Sequence, residues 1–238
     1  MILQLLRTGA AELGLALSER QFDQFEEYYR QLIEWNTRFN LTAVTHYDGV
    51  QTTHFLDSLT VAIAGLNLDG KSIIDVGAGA GFPGLPLKIA FPGIELTLLE
   101  ATGKKAVFLT HLAAALGFSG VTVLNSRAED AARQSQHRER YDFAVSRAVA
   151  SLDTLCELCL PFCRTGGQFI AMKKGDTAAE VDSAQQAIKT LGGRLRLIKP
   201  IDLSLFPDAR KLVIIDKVAL TPLEFPRRSG LPAKKPLC

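Results

Sequence analysis

Apolar positions beyond residue 66 form short runs that alternate with longer stretches of helical periodicity. The runs are rich in β-branched residues and are bounded by glycine or polar residues, which is the pattern of buried strands. Because a helical stretch separates each run from the next, the pattern predicts a parallel sheet with right-handed crossovers. The predicted strands are residues 73–76, 94–99, 121–124, 141–146 and 167–172, and the predicted helices include residues 104–116, 128–138, 152–163 and 177–191.

Two more strands are predicted at the end of this pattern, at residues 194–198 and 212–219. No helical stretch separates them, so we expect them to pair antiparallel. The first 66 residues show no strand signal and read as helices. Ser18 and Gln21 form a capping box for one helix that continues to near Phe39, and another helix is expected over residues 50–64. The sequence therefore predicts one α/β domain, with a helical layer (1–66), a sheet core (67–220) and a tail (221–238).

The first predicted strand ends in a glycine-rich loop. Gly77, Gly79 and Gly81 recur at every second position, which allows positive φ and close approach of the backbone to a ligand. A strand, a glycine loop and a helix N-terminus together form a site for a nucleotide-like ligand. The G-x-G-x-x-G spacing that ends at Gly84 also fits a dinucleotide dehydrogenase, and a glycine turn without a ligand is a third interpretation. Glu100 ends the second strand about twenty residues further on, where an acid can accept hydrogen bonds from ribose hydroxyls.

Composition and charge narrow the class of protein. Of the 238 residues, 47% are apolar and 22% charged, which suits one globular α/β domain. The chain has no cationic leader before an apolar segment and no apolar run near the roughly 18 residues that cross a membrane, so we expect a cytoplasmic protein without a membrane partner. Net charge is only +2, but residues 221–238 hold Arg227, Arg228, Lys234 and Lys235 against Glu224, a local +3, so the other 220 residues sum to −1. The basic charge is concentrated in the tail.

Four cysteines raise the question of a metal or redox site. Cys156 and Cys159 have the C-x-x-C spacing of zinc and redox motifs, with Cys163 nearby and Cys238 at the end of the chain. The three clustered thiols recur with leucines at helical spacing, which predicts a buried helix face instead. Three thiols and a distant fourth make no obvious set of four ligands. We therefore expect reduced cysteines and no metal site.

The residues of the glycine loop resemble the cofactor loop of S-adenosylmethionine-dependent methyltransferases. The string Asp75-Val-Gly-Ala-Gly-Ala-Gly-Phe-Pro-Gly, with Trp35-Asn-x-x-Phe-Asn-Leu-Thr and His54-x-Leu-Asp-Ser-Leu upstream, resembles the bacterial guanine-N7 methyltransferases of small-subunit ribosomal RNA, also called glucose-inhibited division protein B. The resemblance covers about residues 10–220. It implies an α/β, class I methyltransferase fold: a Rossmann-like, mostly parallel sheet with a C-terminal antiparallel hairpin and an N-terminal helical layer. It also implies S-adenosylmethionine as cofactor and 16S ribosomal RNA or the 30S subunit as partner.

Cofactor contacts are expected at the carboxyl ends of the strands, where parallel sheets bind their ligands. We expect the glycine loop to admit the methionine end of the cofactor, Glu100 its ribose, and the turn at Ala128 and Glu129 its adenine. Glu100 as a solvated strand end and Glu129 as a helix N-terminal acid remain alternatives, as does a structural ion pair for Arg147. By resemblance the contacts fall on Gly77, Phe82, Ala128, Glu129 and Arg147, and the loop and second strand add Gly79, Gly81 and Glu100.

No catalytic base is expected for this reaction. Guanine N7 offers a lone pair and has no proton to lose, so methyl transfer from a sulfonium needs alignment and exclusion of water. The basic tail is expected to extend as an arm along RNA phosphates, and the protein to act as a monomer. A methyltransferase for protein or a small molecule and a non-enzymatic nucleotide-binding module remain the alternative functions. The RNA candidates, each with a structural or solvated role as alternative, are Asn40, His54, Asp57, Ser58, Lys173, Arg227 and Arg228.

Overall fold

A seven-stranded sheet forms the centre of the molecule, in a computed structural model that describes residues 3–237. Its strands are β1 (Ser72–Val76), β2 (Glu95–Leu99), β3 (Val121–Leu124), β4 (Tyr141–Arg147), β5 (Cys163–Lys174), β6 (Gly193–Ile201) and β7 (Arg210–Lys217). The order across the sheet is β3-β2-β1-β4-β5-β7-β6. β1 to β5 run parallel, and β7 pairs antiparallel with both β5 and β6. The predicted parallel sheet with an antiparallel C-terminal hairpin is confirmed.

Helices surround the sheet, and the first of the longer ones begins as predicted. The Ser18 hydroxyl accepts from the backbone of Gln21, whose side chain accepts from the backbone of Ser18. Within residues 3–237 no helix combines the length and apolar character needed to cross a membrane. The α-helices are α1 (Gln4–Glu12), α2 (Glu19–Asn36), α3 (Tyr47–Val50), α4 (Asp57–Leu59), α5 (Gly84–Ala90), α6 (Gly103–Ala115), α7 (Ala128–Ala131), α8 (Leu152–Cys159), α9 (Ala178–Thr190) and α10 (Leu231–Lys234).

Two predicted helices are shorter or less regular in the structure. The stretch 50–64 contains a π-helical segment, Gln51–Leu56, and ends in a 3-10 segment, Thr60–Ala64. The Thr53 hydroxyl donates to the carbonyl of Gly49 at 2.6 Å, and such back-bonding competes with regular α-helical hydrogen bonds. The stretch 128–138 is helical for only one turn, because little beyond Ala131 and Ala132 reaches the core and one turn does not propagate without packing.

The predicted helix over residues 152–163 also ends early. α8 stops at Cys159, since Pro161 cannot continue α-helical hydrogen bonds, and Cys163 is the first residue of β5. Cys156, Cys159 and Cys163 are nevertheless buried and free. Burial raises the pKa of each of these thiols well above its ordinary value, which makes them poor nucleophiles. Cys238 lies outside the described residues.

Two apolar clusters cover opposite faces of the sheet. Successive residues of a strand point to opposite faces, and Ile73 and Ile74 of β1 accordingly belong to different clusters. Phe25 of α2 and Phe55 of the π-helical segment are fully buried in the first cluster, so the N-terminal helices pack on that face. α8 and α9 pack on the other. Strand order changes direction between β1 and β4, which leaves a crevice at their carboxyl ends.

The C-terminal residues 221–237, hereafter the C-terminal strap, fold back along the molecule. Arg227 Nη2 lies 2.6 Å from a carboxylate oxygen of Glu157, which is fully buried in α8. A buried carboxylate is costly without a cation, and Arg227 supplies one. At Arg227 this segment therefore packs against the molecule instead of extending as an arm, and contact between its basic residues and RNA stays a prediction.

Candidate functional site

A cavity of ≈ 760 Å³ opens at the carboxyl ends of β1, β2, β4 and β5. The glycine loop forms its floor, and the end of β4 and the π-helical segment contribute to its walls. This is the position at which the strand-end rule predicted the ligand. The lining includes Thr42, Thr53, His54, Asp57, Gly77, Gly79, Phe82, Glu100, Lys105, Arg127, Arg147, Val149, Met172, Lys173 and Lys174.

The glycine loop needs its glycines for two different reasons. Gly77, Gly79 and Gly81 have φ of 77°, 60° and 101°, values that residues with a side chain rarely adopt. At Gly77 an added Cβ would come within 2.7 Å of Val149, so this position also requires a small residue. At Gly79 an added Cβ would meet only the Gly77 carbonyl at 3.9 Å, so a larger side chain would extend into space that a ligand can use. The loop is therefore shaped for close approach of a ligand at Gly79.

Glu100 ties the end of β2 to the glycine loop. One carboxylate oxygen accepts from the backbone N–H of Gly79 at 2.9 Å, and the other accepts from that of Thr102 at 2.7 Å. The side chain of Asn125 donates to the Glu100 carbonyl at 2.8 Å. A carboxylate oxygen has more than one acceptor site, so both oxygens can also accept ribose hydroxyls. These residues fit a nucleoside-containing cofactor.

Asp75, which precedes the loop, is fully buried beneath it. Its Oδ2 accepts from the backbone N–H of Gly84 at 2.7 Å, at the start of α5. Its Oδ1 has no hydrogen-bond partner among the described residues. Burial raises the pKa of Asp75 from 3.8 to about 7, although the Gly84 N–H and the charge of Arg147 both lower it. The buried acid thus anchors the loop to the helix that follows.

Phe82 lines the cavity and also packs in a cluster of aromatic rings. The ring of Tyr28 from α2 stacks with that of Phe82 at a centroid distance of 5.2 Å, and the ring of His54 stacks with it at 4.6 Å. The Tyr28 hydroxyl donates to the carbonyl of Ala80 at 2.6 Å. These rings hold Phe82 in place at the cavity, and its expected cofactor contact stays a prediction. Sequence reasoning missed Tyr28 because its only signal was helical periodicity.

His54 is held as a neutral ring. Nδ1 lies 3.1 Å from the carbonyl of Thr53 and 3.5 Å from Arg147 Nη2, and Nε2 lies 2.7 Å from the Thr42 hydroxyl. A proton on Nδ1 satisfies the two shorter contacts, with Nε2 as the acceptor. Burial and the charge of Arg147 lower the pKa of His54 to about 4. Its lone pair is therefore already engaged at neutral pH.

Arg147 takes part in a buried ion-pair network and also lines the cavity. Its Nη1 donates to Asp57 Oδ2 and to the Thr53 carbonyl, both at 2.8 Å. The guanidinium carbon lies 5.1 Å from the centroid of Phe82. Asp57 Oδ1 is 2.5 Å from Arg210 of β7, which is 3% exposed. Arg147 therefore forms a structural ion pair and also lies at the site, so the two interpretations are compatible. Nothing in the sequence pointed to Arg210 as the second partner of Asp57.

Other predicted site residues lie outside the cavity lining. Asn40 is exposed, and the Ser58 hydroxyl donates to the carbonyl of His54 at 2.6 Å, a contact within its own helical stretch. Ala128 packs on the second apolar cluster. The carboxylate of Glu129 accepts from the backbone N–H of Gly230 at 2.8 Å. Three predicted residues remain. Gly81 packs closely against Tyr28 and Leu85, Arg227 pairs with Glu157, and Arg228 is exposed.

The cavity carries an excess of positive charge. Lys173 Nζ is paired with Glu180 at 2.6 Å and donates to the Ala150 carbonyl at 2.8 Å, so part of its charge is neutralised. The acids in the lining are Asp57 and Glu100. A cationic mouth favours a polyanionic partner. The cations in the lining are Lys105, Arg127, Arg147, Lys173 and Lys174.

Sheet order, glycine loop and acidic strand end together define a class I S-adenosylmethionine-dependent methyltransferase. Solved structures with this fold include a mutant of MtNAS in complex with S-adenosylmethionine, with a TM-score of 0.55 and 15% identity over 91% of this chain and 78% of that one. The structure of MtNAS in complex with MTA and tNA gives a TM-score of 0.56 and 16% identity over 91% of this chain and 76% of that one.

Sequence comparisons identify the family. The family model of GidB, rRNA small subunit methyltransferase G, matches residues 21–204. Ribosomal RNA small subunit methyltransferase G of Dehalococcoides mccartyi strain CBDB1 is 51% identical over 96% of this chain and 97% of that protein. The protein of the same name from Roseiflexus sp. strain RS-1 is 47% identical over 99% and 100%. The chain belongs to the GidB family, as the resemblance implied, and is a methyltransferase.

Proposed function

We propose that this chain transfers a methyl group from S-adenosylmethionine to N7 of a guanine in 16S ribosomal RNA. The observation that carries the proposal is the hydrogen-bonded link between the glycine loop and Glu100 inside a cavity with a cationic mouth. Membership of the GidB family supports ribosomal RNA as the acceptor. Because that acceptor belongs to the small ribosomal subunit, we propose that the chain acts in the cytoplasm, on 16S ribosomal RNA or the 30S subunit. We also propose that it acts as a monomer.

The residues of the cavity would hold two parts of the cofactor. The backbone at Gly77 and Gly79 would receive its methionine end, and Glu100 its ribose hydroxyls, with Gly79 and Glu100 already joined. Bound S-adenosylmethionine supplies a methyl group on a positively charged sulfur, which makes that carbon electrophilic. The protein's part is to align this group with the acceptor and to exclude water.

The acceptor nitrogen needs no general base from the protein. Guanine N7 has a lone pair and carries no proton. His54, the ionisable side chain of the upstream motif, is neutral and has its Nε2 lone pair engaged by Thr42. Arg147 is fixed by Asp57 and Thr53 and retains further N–H donors for the guanine or a phosphate oxygen. We therefore assign positioning, rather than proton transfer, to the residues of the cavity.

Calorimetry with a matched pair of glycine variants tests the cofactor site. Gly79→Val is expected to abolish measurable binding of S-adenosylmethionine while the fold survives, because the side chain would fill ligand space. Gly14→Val is the control: Gly14 also has positive φ (73°) and open surroundings, but it lies outside the cavity. Equal binding by both variants and the parent would show that the loop is misassigned, and preferential binding of nicotinamide dinucleotides would favour a dehydrogenase.

Mass mapping of 16S ribosomal RNA tests the acceptor. RNA from cells that lack the gene is expected to miss one methyl group on a single guanine, and the purified chain is expected to restore it. An unchanged RNA mass would favour the alternative of a methyltransferase for protein or a small molecule.

A further inference from the structure

The C-terminal strap is held by side chains that follow α7. Arg138 donates to the carbonyls of Thr221 at 2.7 Å and Phe225 at 2.8 Å. Arg133 donates to the carbonyl of Pro226 at 2.6 Å. Hydrogen bonds between guanidinium groups and backbone carbonyls fix the path of the backbone rather than the identity of its side chains. The first part of the strap is therefore fastened to the segment that leaves α7.

The middle of the strap is fastened to α8 by a buried ion pair. Glu157 Oε1 accepts from the backbone N–H of Arg227 at 2.7 Å and from its Nε at 2.9 Å, and Oε2 accepts from Nη2 at 2.6 Å. Arg227 Nη2 also donates to the carbonyl of Lys235 at 2.8 Å, so one guanidinium joins α8 to both ends of this part of the strap. Glu157 is 0% exposed. Removing Arg227 would leave a buried carboxylate without its cation, which is strongly unfavourable.

A third contact connects the strap to the edge of the cofactor cavity. The backbone N–H of Gly230 donates to Glu129 Oε1 at 2.8 Å. Glu129 belongs to α7, a helix of 4 residues that begins directly after Arg127, and Arg127 lines the cavity. A single helical turn has little stability of its own and depends on its packing. The strap is thus one of the structures that hold the Arg127 side of the cavity in place.

We propose that the C-terminal strap positions the α7 wall of the cofactor site, with Arg227 and Gly230 as positioning residues. The inference rests on the proposed function, because it takes the cavity to be the S-adenosylmethionine site. If strap docking favours the binding-competent position of α7, then bound cofactor must favour the docked strap by the same factor. The strap then acts on the cofactor rather than on RNA.

Direct binding measurements with Arg227→Gln test the first half of this coupling. The variant keeps a polar side chain but loses the charge and the two parallel N–H donors of the guanidinium that bind Glu157. We therefore expect the Kd for S-adenosylmethionine in calorimetry to rise at least tenfold, which is about 1.4 kcal/mol. Arg227→Lys restores the charge without the two parallel donors and should give an intermediate Kd. Arg164→Gln is the matched control. Arg164 also pairs with an acid, Asp142 at 2.7 Å, but this pair lies at the amino ends of β4 and β5, whereas the cavity lies at the carboxyl ends. Its Kd should equal that of the parent.

Limited proteolysis tests the other half of the coupling, the effect of bound cofactor on docking of the strap, without measuring activity. Arg228 is exposed in the strap, so trypsin cleavage after it, followed by mass spectrometry, reports opening of the strap. Saturating S-adenosylmethionine should slow this cleavage in the parent, and should slow it less in Arg227→Gln. The cofactor should not change cleavage after Lys189, the exposed lysine of α9.

The outcomes separate this inference from the proposed function. If the parent binds no S-adenosylmethionine, the proposed cofactor site is wrong and the inference falls with it. If the parent binds it but Arg227→Gln and a truncation after Leu220 bind it within twofold as well, only the inference is overturned. A truncation that keeps the parent's Kd but flattens the salt dependence of RNA binding would assign the strap to RNA and likewise overturn it. If the truncated chain does not fold, the Arg227→Gln and proteolysis results decide.

Discussion

Replacing Asp75 by asparagine is expected to remove a pH-dependent loss of stability that is built into the glycine loop. The side chain of Asp75 is fully buried, one oxygen accepts from Gly84, and the other has no partner among the described residues. Burial, with a smaller contribution from the charge of Glu100, raises the pKa of Asp75 to about 7 against the opposing influence of the Gly84 N–H and of Arg147. The folded protein therefore holds this proton far more tightly than the unfolded chain does.

The sign and size of the effect follow from that difference. The unfolded chain releases the proton near the ordinary pKa of 3.8, whereas the folded protein releases it near 7. Between these values the unfolded state is progressively favoured as pH rises, and above pH 7 the full loss is present. One pKa unit corresponds to about 1.4 kcal/mol, so a shift of roughly three units amounts to about 4 kcal/mol. This contribution is small at pH 4 and vanishes well below pH 3.8.

Urea unfolding of the parent and of Asp75→Asn between about pH 4 and 8.5 measures the effect. The asparagine keeps an acceptor for Gly84 but places an unpaired amide where Oδ1 was, a pH-independent penalty of about 1–3 kcal/mol. The free energy of unfolding of the variant relative to the parent should therefore rise by about 4 kcal/mol from pH 4 to 8. His54, whose pKa is lowered to about 4, stabilises the fold as pH rises towards 6.5, but this contribution is common to both proteins and cancels. Asp69→Asn, at an exposed position, is the control, and a difference between Asp75→Asn and parent that does not vary with pH would refute the reasoning.

Three further predictions concern the same site. Gly81→Ala should lower the free energy of unfolding by about 1–3 kcal/mol in urea titrations, because φ is 101° and the Cβ would lie 2.5 Å from the Tyr28 hydroxyl; an unchanged midpoint would contradict the observed conformation. Glu100→Ala should weaken S-adenosylmethionine and S-adenosylhomocysteine equally in calorimetry, by about 1.5–3 kcal/mol for each lost bond, since both contain the same ribose; a loss confined to one ligand would argue against ribose binding. His54→Gln should change the height but not the shape of the single-turnover rate profile between pH 6 and 8.5, because the pKa of His54 is about 4; loss of an inflection in that range would identify His54 as a base.

The sequence was sufficient for the parts of the fold that depend on local pattern. Alternating apolar runs and helical stretches predict the parallel sheet, and the missing helix between the last two strands predicts their antiparallel pairing. Gly77, Gly79 and Glu100 could be assigned to one site because the carboxyl ends of neighbouring parallel strands meet at the same edge. The structure places all three at the cavity, with Gly79 and Glu100 in contact.

What the sequence did not reveal depends on contacts between distant parts of the chain. Arg210 reaches Asp57 across 153 positions, and Gly230 reaches Glu129 across 101. Neither pair has a spacing or a periodicity that a local pattern can detect. The basic composition of the tail predicted an extended arm along RNA phosphates, because composition does not show that Arg227 faces a buried acid. Formal charge alone is therefore a poor guide to which cations are available to RNA.

The stack of Tyr28, Phe82 and His54 has a consequence for how the molecule can be divided. Two of its three rings come from the N-terminal helices and one from the glycine loop, so the floor of the ligand cavity is built by both parts of the chain. We expect amide hydrogen exchange in the loop to follow the opening of α2, not that of the sheet alone. A minimal version that begins at residue 67 would keep every strand yet lose the rings that hold Phe82. The N-terminal helices are thus part of the ligand site, and transfer of the loop to another methyltransferase core would require these helices as well.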